Sequence, residues 1–141
     1  MRILCVLLPH FPINCEKLRN HDTIHPLIMT TTVGSQKLVL DYSPECKGLQ
    51  REMQLQQALS LYGEAELIQA DIPYYGDVFN ETLDLMEEKS PLVEGSDLEA
   101  IYIGLDGLEL IYGNDDALAK AVRLAIPDAF FVSFAIFSFS K

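Results

Sequence analysis

Few residues in this chain are of a type and spacing that could do chemistry. Glu99 and Asp106 lie near the two ends of a strongly β-prone stretch, residues 98–107, and taken by themselves they read as a solvated acid and as the turn residue of an Asp-Gly pair. His21 and His25, four apart, would share a helix face as a metal pair, but Pro26 biases His25 away from helical geometry, and both default to surface histidines, as does His10. The pairs Glu87-Glu88 and Asp115-Asp116 read as solvated helix ends rather than acid–base couples. Cys5, Cys15 and Cys46 are odd in number and show no Cys-x-x-Cys spacing, so they indicate reduced thiols and neither a disulfide framework nor a zinc site.

The bulk composition narrows the partners. The 141 residues carry 10 Lys and Arg against 21 Asp and Glu, a formal charge of −11, so the summed field repels polyanions. The cations form no run or stripe, and DNA binding is expected to be weak or absent. With 49% hydrophobic and 22% charged residues the chain is an ordinary globular one. The apolar start is cut by Pro9, and the apolar run 129–139 is far shorter than the ~20 residues of a membrane span. A cytoplasmic protein without targeting or membrane segments is expected.

These residues must be positioned by an alternation of strands and helices. Residues 2–8 form a continuous apolar strand, and a short helix follows over 13–19 with Phe11 pointing back to the core. Residues 26–32 and 37–41 form a hairpin around Gly34. Leu55, Ala58, Leu59 and Tyr62 make one helical stripe ended by Gly63, and 67–70 is a short strand before Pro73. A helix over about 77–88 carries Phe79, Leu83 and Met86 on one face and stops before Pro91. Residues 92–94 lead into the organising strand 98–107, and 108–112 extends it or turns. Asn114-Asp115-Asp116 starts a helix with Leu118, Val122 and Ala125 on one face. Residues 130–139 are an apolar strand with Phe130, Val132, Phe134 and Ile136 on one side and Phe131, Ala135, Phe137 and Phe139 on the other. Both faces need cover, and a homo-oligomer or a partner closing that surface is expected. The order gives an α+β fold, a ferredoxin-like split βαβ with a small α+β insertion.

Residues 98–107, Leu-Glu-Ala-Ile-Tyr-Ile-Gly-Leu-Asp-Gly, resemble a strand of the Y-family (UmuC/ImpB/MucB/SamB-type) translesion DNA polymerases that reads roughly Ser-Ile-Asp-Glu-Ala-Tyr-Leu-Asp-Val-Thr-Gly. The resemblance continues over nearly the whole chain. Residues 11–16 look like Phe-Phe-Ala-Ser-Val-Glu, residues 18–28 like the Arg-Asn-Pro to Pro-Val-Val stretch, and 42–49 like Tyr-Glu-Ala-Arg-x-x-Gly-Val. Glu52-Met53 with Ala58 resembles the Gly-Met and Ala of the fingers helix. This implies a palm from 1–23 and 72–141, with a fingers-like insertion at 24–71.

The resemblance implies two-metal phosphoryl transfer, which needs carboxylates on adjacent strands around cations ~4 Å apart. The family's first Asp falls at Leu7, and no acid occurs from Met1 to Cys15. Its Asp-Glu pair falls at Glu99 and Ala100, leaving one carboxylate of three. The triphosphate-binding arginine falls at Glu45 and the aromatic gate at Pro12. Tyr42 is retained, and it and Phe11 are candidates to stack on a nucleotide, against packing in the core or its rim. No catalytic residue is assigned, and Glu99 is at most a vestigial ligand. The reading is a catalytically degenerate, ImuB-like relative, an accessory factor in bacterial DNA repair and damage-induced (SOS) mutagenesis whose partners are an active polymerase and clamp. No cofactor is expected. The alternatives are an active polymerase fragment using Mg²⁺ or Mn²⁺ at Glu99, Asp106 and a further ligand, and an unrelated ferredoxin-like binding or assembly module.

Overall fold

The computed structural model describes residues 1–19 and 26–139. His21 and His25, the suggested metal pair, lie outside the described residues. In chain order the elements are β1 (Arg2–Leu7), α1 (Phe11–Arg19), β2 (Leu27–Val33), β3 (Gln36–Tyr42), α2 (Leu55–Leu61) and β4 (Glu66–Gln69). They continue as α3 (Ile72–Glu87), β5 (Val93–Ser96), β6 (Ala100–Gly104), α4 (Glu109–Tyr112), α5 (Asp115–Ala125) and β7 (Ser133–Ser138). The chain divides into two compact units, Met1–Phe11 with Tyr74–Lys141, and Pro12–Pro73.

The first unit holds a four-stranded sheet ordered β5-β6-β1-β7, every neighbouring pair antiparallel. This is the split βαβ order anticipated from the pattern. Period-2 alternation gives the sheet two different faces. Leu4, Val6, Ile101 and Ile103 are at most 1% exposed and share one face. The helices cover it over the central strands, while Ile136 of the edge strand β7, paired with Leu4, stays 44% exposed. A Cβ added at Gly95, which pairs with Ile101, would come 2.5 Å from Cε2 of Phe79 on α3, so only glycine fits there. On α3, Tyr75, Phe79, Thr82 and Met86 are the buried stripe. On α5, Leu118 and Val122 are buried one turn apart, and the Asn114 side chain caps the helix by accepting the Ala117 N–H at 2.8 Å. Phe11, wholly buried, stacks on Phe130 with ring centroids 4.9 Å apart and meets Phe79 edge-on at 5.5 Å.

The second unit holds a three-stranded sheet ordered β3-β2-β4, with β2 and β3 antiparallel through a two-residue Gly34-Ser35 turn and β4 parallel to β2. Its core is Ile28, Val39, Cys46, Leu49 and Ala58, ringed by Tyr42, Met53, Leu55, Tyr62 and Ala65. Ala58 is fully buried at the centre of the α2 stripe.

Several boundaries differ from the sequence reading, each for a physical reason. The organising strand is only Ala100–Gly104, because residues 97–99 form the turn of a β5–β6 hairpin with Asp97 (φ 51°) and Leu98 (φ 59°) both left-handed. Residues 108–112 neither extend the strand nor merely turn; Glu109–Tyr112 is a one-turn helix. Helix α3 begins at Ile72 rather than near 77, since Pro73 sits in its first turn, where a missing N–H costs nothing. Among the described residues no helix is long and apolar enough to cross a membrane.

Candidate functional site

The residues that the family resemblance marks lie where β1 and β6 run side by side. Leu7 pairs with Ala100. One step further the Leu8 N–H donates to the Glu99 carbonyl at 2.7 Å, making Leu8 and Glu99 a hydrogen-bonded pair and leaving Leu7 and Ala100 as the narrow, non-hydrogen-bonded pair beside it. Both point away from the helices, and their Cβ atoms are within about 5 Å. Two carboxylates there could grip a common cation, but an isobutyl group and a methyl group offer no oxygen. Leu7 is 43% exposed and Ala100 4%.

Glu99 is exposed in the β5–β6 turn. Asp106 lies beyond the opposite end of β6, where its Oδ1 accepts the Arg2 N–H at 3.3 Å. The six residues 100–105 of strand and turn separate these acids, roughly 20 Å at ~3.3 Å per residue. The structure does not bring them together on one ion. Among the described residues no three His, Cys, Asp or Glu cluster as a metal site. The residues present do not fit a two-metal centre.

Phe11 must be corrected as a nucleotide-stacking candidate. It is 0% exposed, and its ring is spent on Phe130 and Phe79, so the core reading of this side chain holds. Tyr42, at the end of β3, is half-buried against the second unit's core. Glu45 is exposed in the loop after β3, and Pro12 is buried in the first turn of α1.

Sequence reading missed Asp41. Its carboxylate, wholly buried, accepts the Ile13 N–H at 3.1 Å and the Tyr42 N–H at 2.9 Å. Pro12 has no N–H, so the next amide of α1, which an outside anion could otherwise take, is held by a carboxylate of the chain itself. The available signal was parity: Asp41 shares an inward face with Val39, and an acid on an inward strand position needs a donor. The nearby Cys15 thiol is pushed up to about 12, by burial first and then by Glu16 and Asp41, with Arg19 opposing. It is an inert thiol at neutral pH.

A family model described as impB/mucB/samB matches residues 6–136. The chain belongs to that family. These are the Y-family polymerases. DNA polymerase IV of Alkaliphilus oremlandii (strain OhILAs) is 25% identical over 126 residues, covering 85% of this chain and 31% of that protein. Among solved structures, the post-insertion binary complex of Dbh DNA polymerase superposes with a TM-score of 0.86 at 18% identity. DinB from Sulfolobus solfataricus gives 0.84 at 17%, and in both cases 97% of this chain covers 42% of the other. The chain thus spans less than half the length of these relatives. At such identities the superpositions speak for the fold, the mixed α+β architecture of the Y-family palm and fingers.

Proposed function

We propose that this impB/mucB/samB family chain is a non-catalytic, polymerase-like protein that serves DNA repair and translesion synthesis as an accessory factor, through protein contacts. The observation that carries the reading is the opposed pair Leu7 and Ala100. By resemblance these are two of the family's three ligand positions, and hard cations need oxygen there. The arrangement at α1 supports the same reading. Asp41 occupies the Ile13 amide, and Glu45 puts a negative charge where the family places its triphosphate-binding arginine. A formal charge of −11 favours protein partners, an active polymerase or a clamp, over the DNA backbone.

The test is a Mn²⁺ titration followed by NMR line broadening, with and without a deoxynucleoside triphosphate, beside a primer-extension assay. All the ligand positions lie inside this chain, so the titration reads them directly. The expected result is diffuse broadening at surface acids and no nucleotide addition. Saturable broadening centred on Glu99 and the Leu7 end of β1 would overturn the proposal and restore a working polymerase site.

A further inference from the structure

The face of the four-stranded sheet opposite its helices is apolar and open. The strand register places Leu7 with Ala100, Cys5 with Tyr102 and Ala135, and Ile3 with Gly104 and Phe137 on this side. Met1 and Phe139 exchange backbone hydrogen bonds and extend it by one row. Six large apolar residues on it are well exposed: Met1 (49%), Leu7 (43%), Leu92 (46%), Tyr102 (38%), Phe137 (49%) and Phe139 (55%). In register it carries one charged side chain, Glu94, which pairs with Tyr102, and the Met1 ammonium at its end row. In a chain with 31 charged residues among 141, that is a depleted surface.

We infer that this face seats a second copy of the chain, the two sheets packing face to face about a two-fold axis. The charge pattern selects the occupant. Nucleic acid would find only the Met1 ammonium at the end row, which already donates to the Phe139 carbonyl, and a basic partner would be drawn to the acidic surfaces elsewhere. A second copy brings the same uncharged patch, as an isologous interface requires. At 150–250 Å² per aromatic side chain, the exposed fractions of the six residues leave on the order of 500 Å² per copy. Two copies together reach about the ~1,000 Å² at which specific interfaces begin. The dimer is therefore weak and reversible, with a dissociation constant of roughly 1–100 μM. Because each copy carries −11, added salt screens their repulsion and tightens the dimer, the reverse of an ion-paired interface.

Sedimentation velocity on the 141-residue chain from ~1 to ~200 μM tests this, independently of the metal titration above. The expected result is a monomer–dimer transition that moves to lower concentration with added salt. Leu7→Glu, and the milder Phe137→Ser at the sheet edge, should each weaken it at least ~10-fold. Leu110→Glu, on α4 and off the face at a site 96% exposed, should leave it unchanged. Circular dichroism melts confirm that the variants fold. A wild-type chain that stays monomeric throughout, including one that instead captures a different protein on this face, overturns the inference. So does a dimer that ignores both Leu7→Glu and Phe137→Ser.

Discussion

Placing acids at Leu7 and Ala100 gives the sharpest test of the palm geometry. In Leu7→Asp/Ala100→Glu the two carboxylates stand on a directly opposed pair, with Cβ atoms within about 5 Å. Leu7 is 43% exposed, and the glutamate is long enough to carry its charge past the neighbours that leave Ala100 at 4%. At 5 Å and an effective dielectric near 20, their repulsion is at most ~3 kcal/mol, and solvent at this open face reduces it to about 1–2 kcal/mol. The metal-free double variant should therefore melt roughly 3–8 °C below wild type. Mn²⁺ at about 100 times its dissociation constant should return ~2.7 kcal/mol, enough to restore or exceed the wild-type melting temperature. Wild type should show no saturable shift. Fluorescence-detected thermal melts with and without Mn²⁺, at protein concentrations below ~0.1 μM, a tenth or less of the dimer's dissociation constant, read both. A double variant that melts low and ignores Mn²⁺ would mean that Leu7 and Ala100 do not stand side by side. A saturable shift in wild type would mean that a metal site exists without them.

Further outcomes follow from backbone strain, packing and buried polar groups. Glu52 holds φ +71°, so Glu52→Gly should stabilise by about 0.5–1 kcal/mol in urea titration, the left-handed penalty less the added chain entropy, while Glu52→Ala should not. Gly95→Ala forces a Cβ against Phe79 and should cost ~1–3 kcal/mol by the same assay. Asp41→Ala leaves the buried Ile13 N–H without its acceptor and should cost ~1–3 kcal/mol, more than Asp41→Asn, which keeps an oxygen. Cys15 ionises near 9.0 when unfolded and at about 12 when folded, so the stability tied to its neutral thiol is complete below pH 9 and lost as pH rises toward 12. Denaturation curves from pH 8 to 11 should show that decline, shallower in Cys15→Ala.

What could be read from the sequence was what local pattern controls. The apolar run of β1, the Asn114 cap and the α2 stripe each depend on neighbours within a few residues, and each stands where the pattern put it. The β5–β6 hairpin was hidden because its turn uses Asp97-Leu98, and leucine at φ 59° carries no turn signal; strand pairing imposes it. Glu52 conceals its left-handed backbone in the same way. The family pattern has glycine there, and the structure supplies the reason. Phe11 was ambiguous because an aromatic between a strand and a helix reads alike whether it meets a base or a core. Three-dimensional neighbours, Phe130 and Phe79, decide it. Asp41 was overlooked because its donor, Ile13, lies 28 residues away.

The alternation of the strands explains how the fold and the chemistry can part company. Leu4, Val6, Ile101 and Ile103 face the helices and carry the packing there, whereas Leu7 and Ala100, one residue out of phase, lie on the opposite face. Selection on the helix-facing set keeps the sheet, and with it a superposition of 0.86 at 18% identity. Nothing in that set demands an acid at the other positions. Removing like charges from an opposed pair relieves repulsion, so the metal-ligand positions are the ones a palm can surrender with a gain in stability. On the function proposed above, neutral residues at these two positions leave a face that does not repel a second apolar sheet. The double variant Leu7→Asp/Ala100→Glu should gain Mn²⁺ binding and lose self-association in a single molecule.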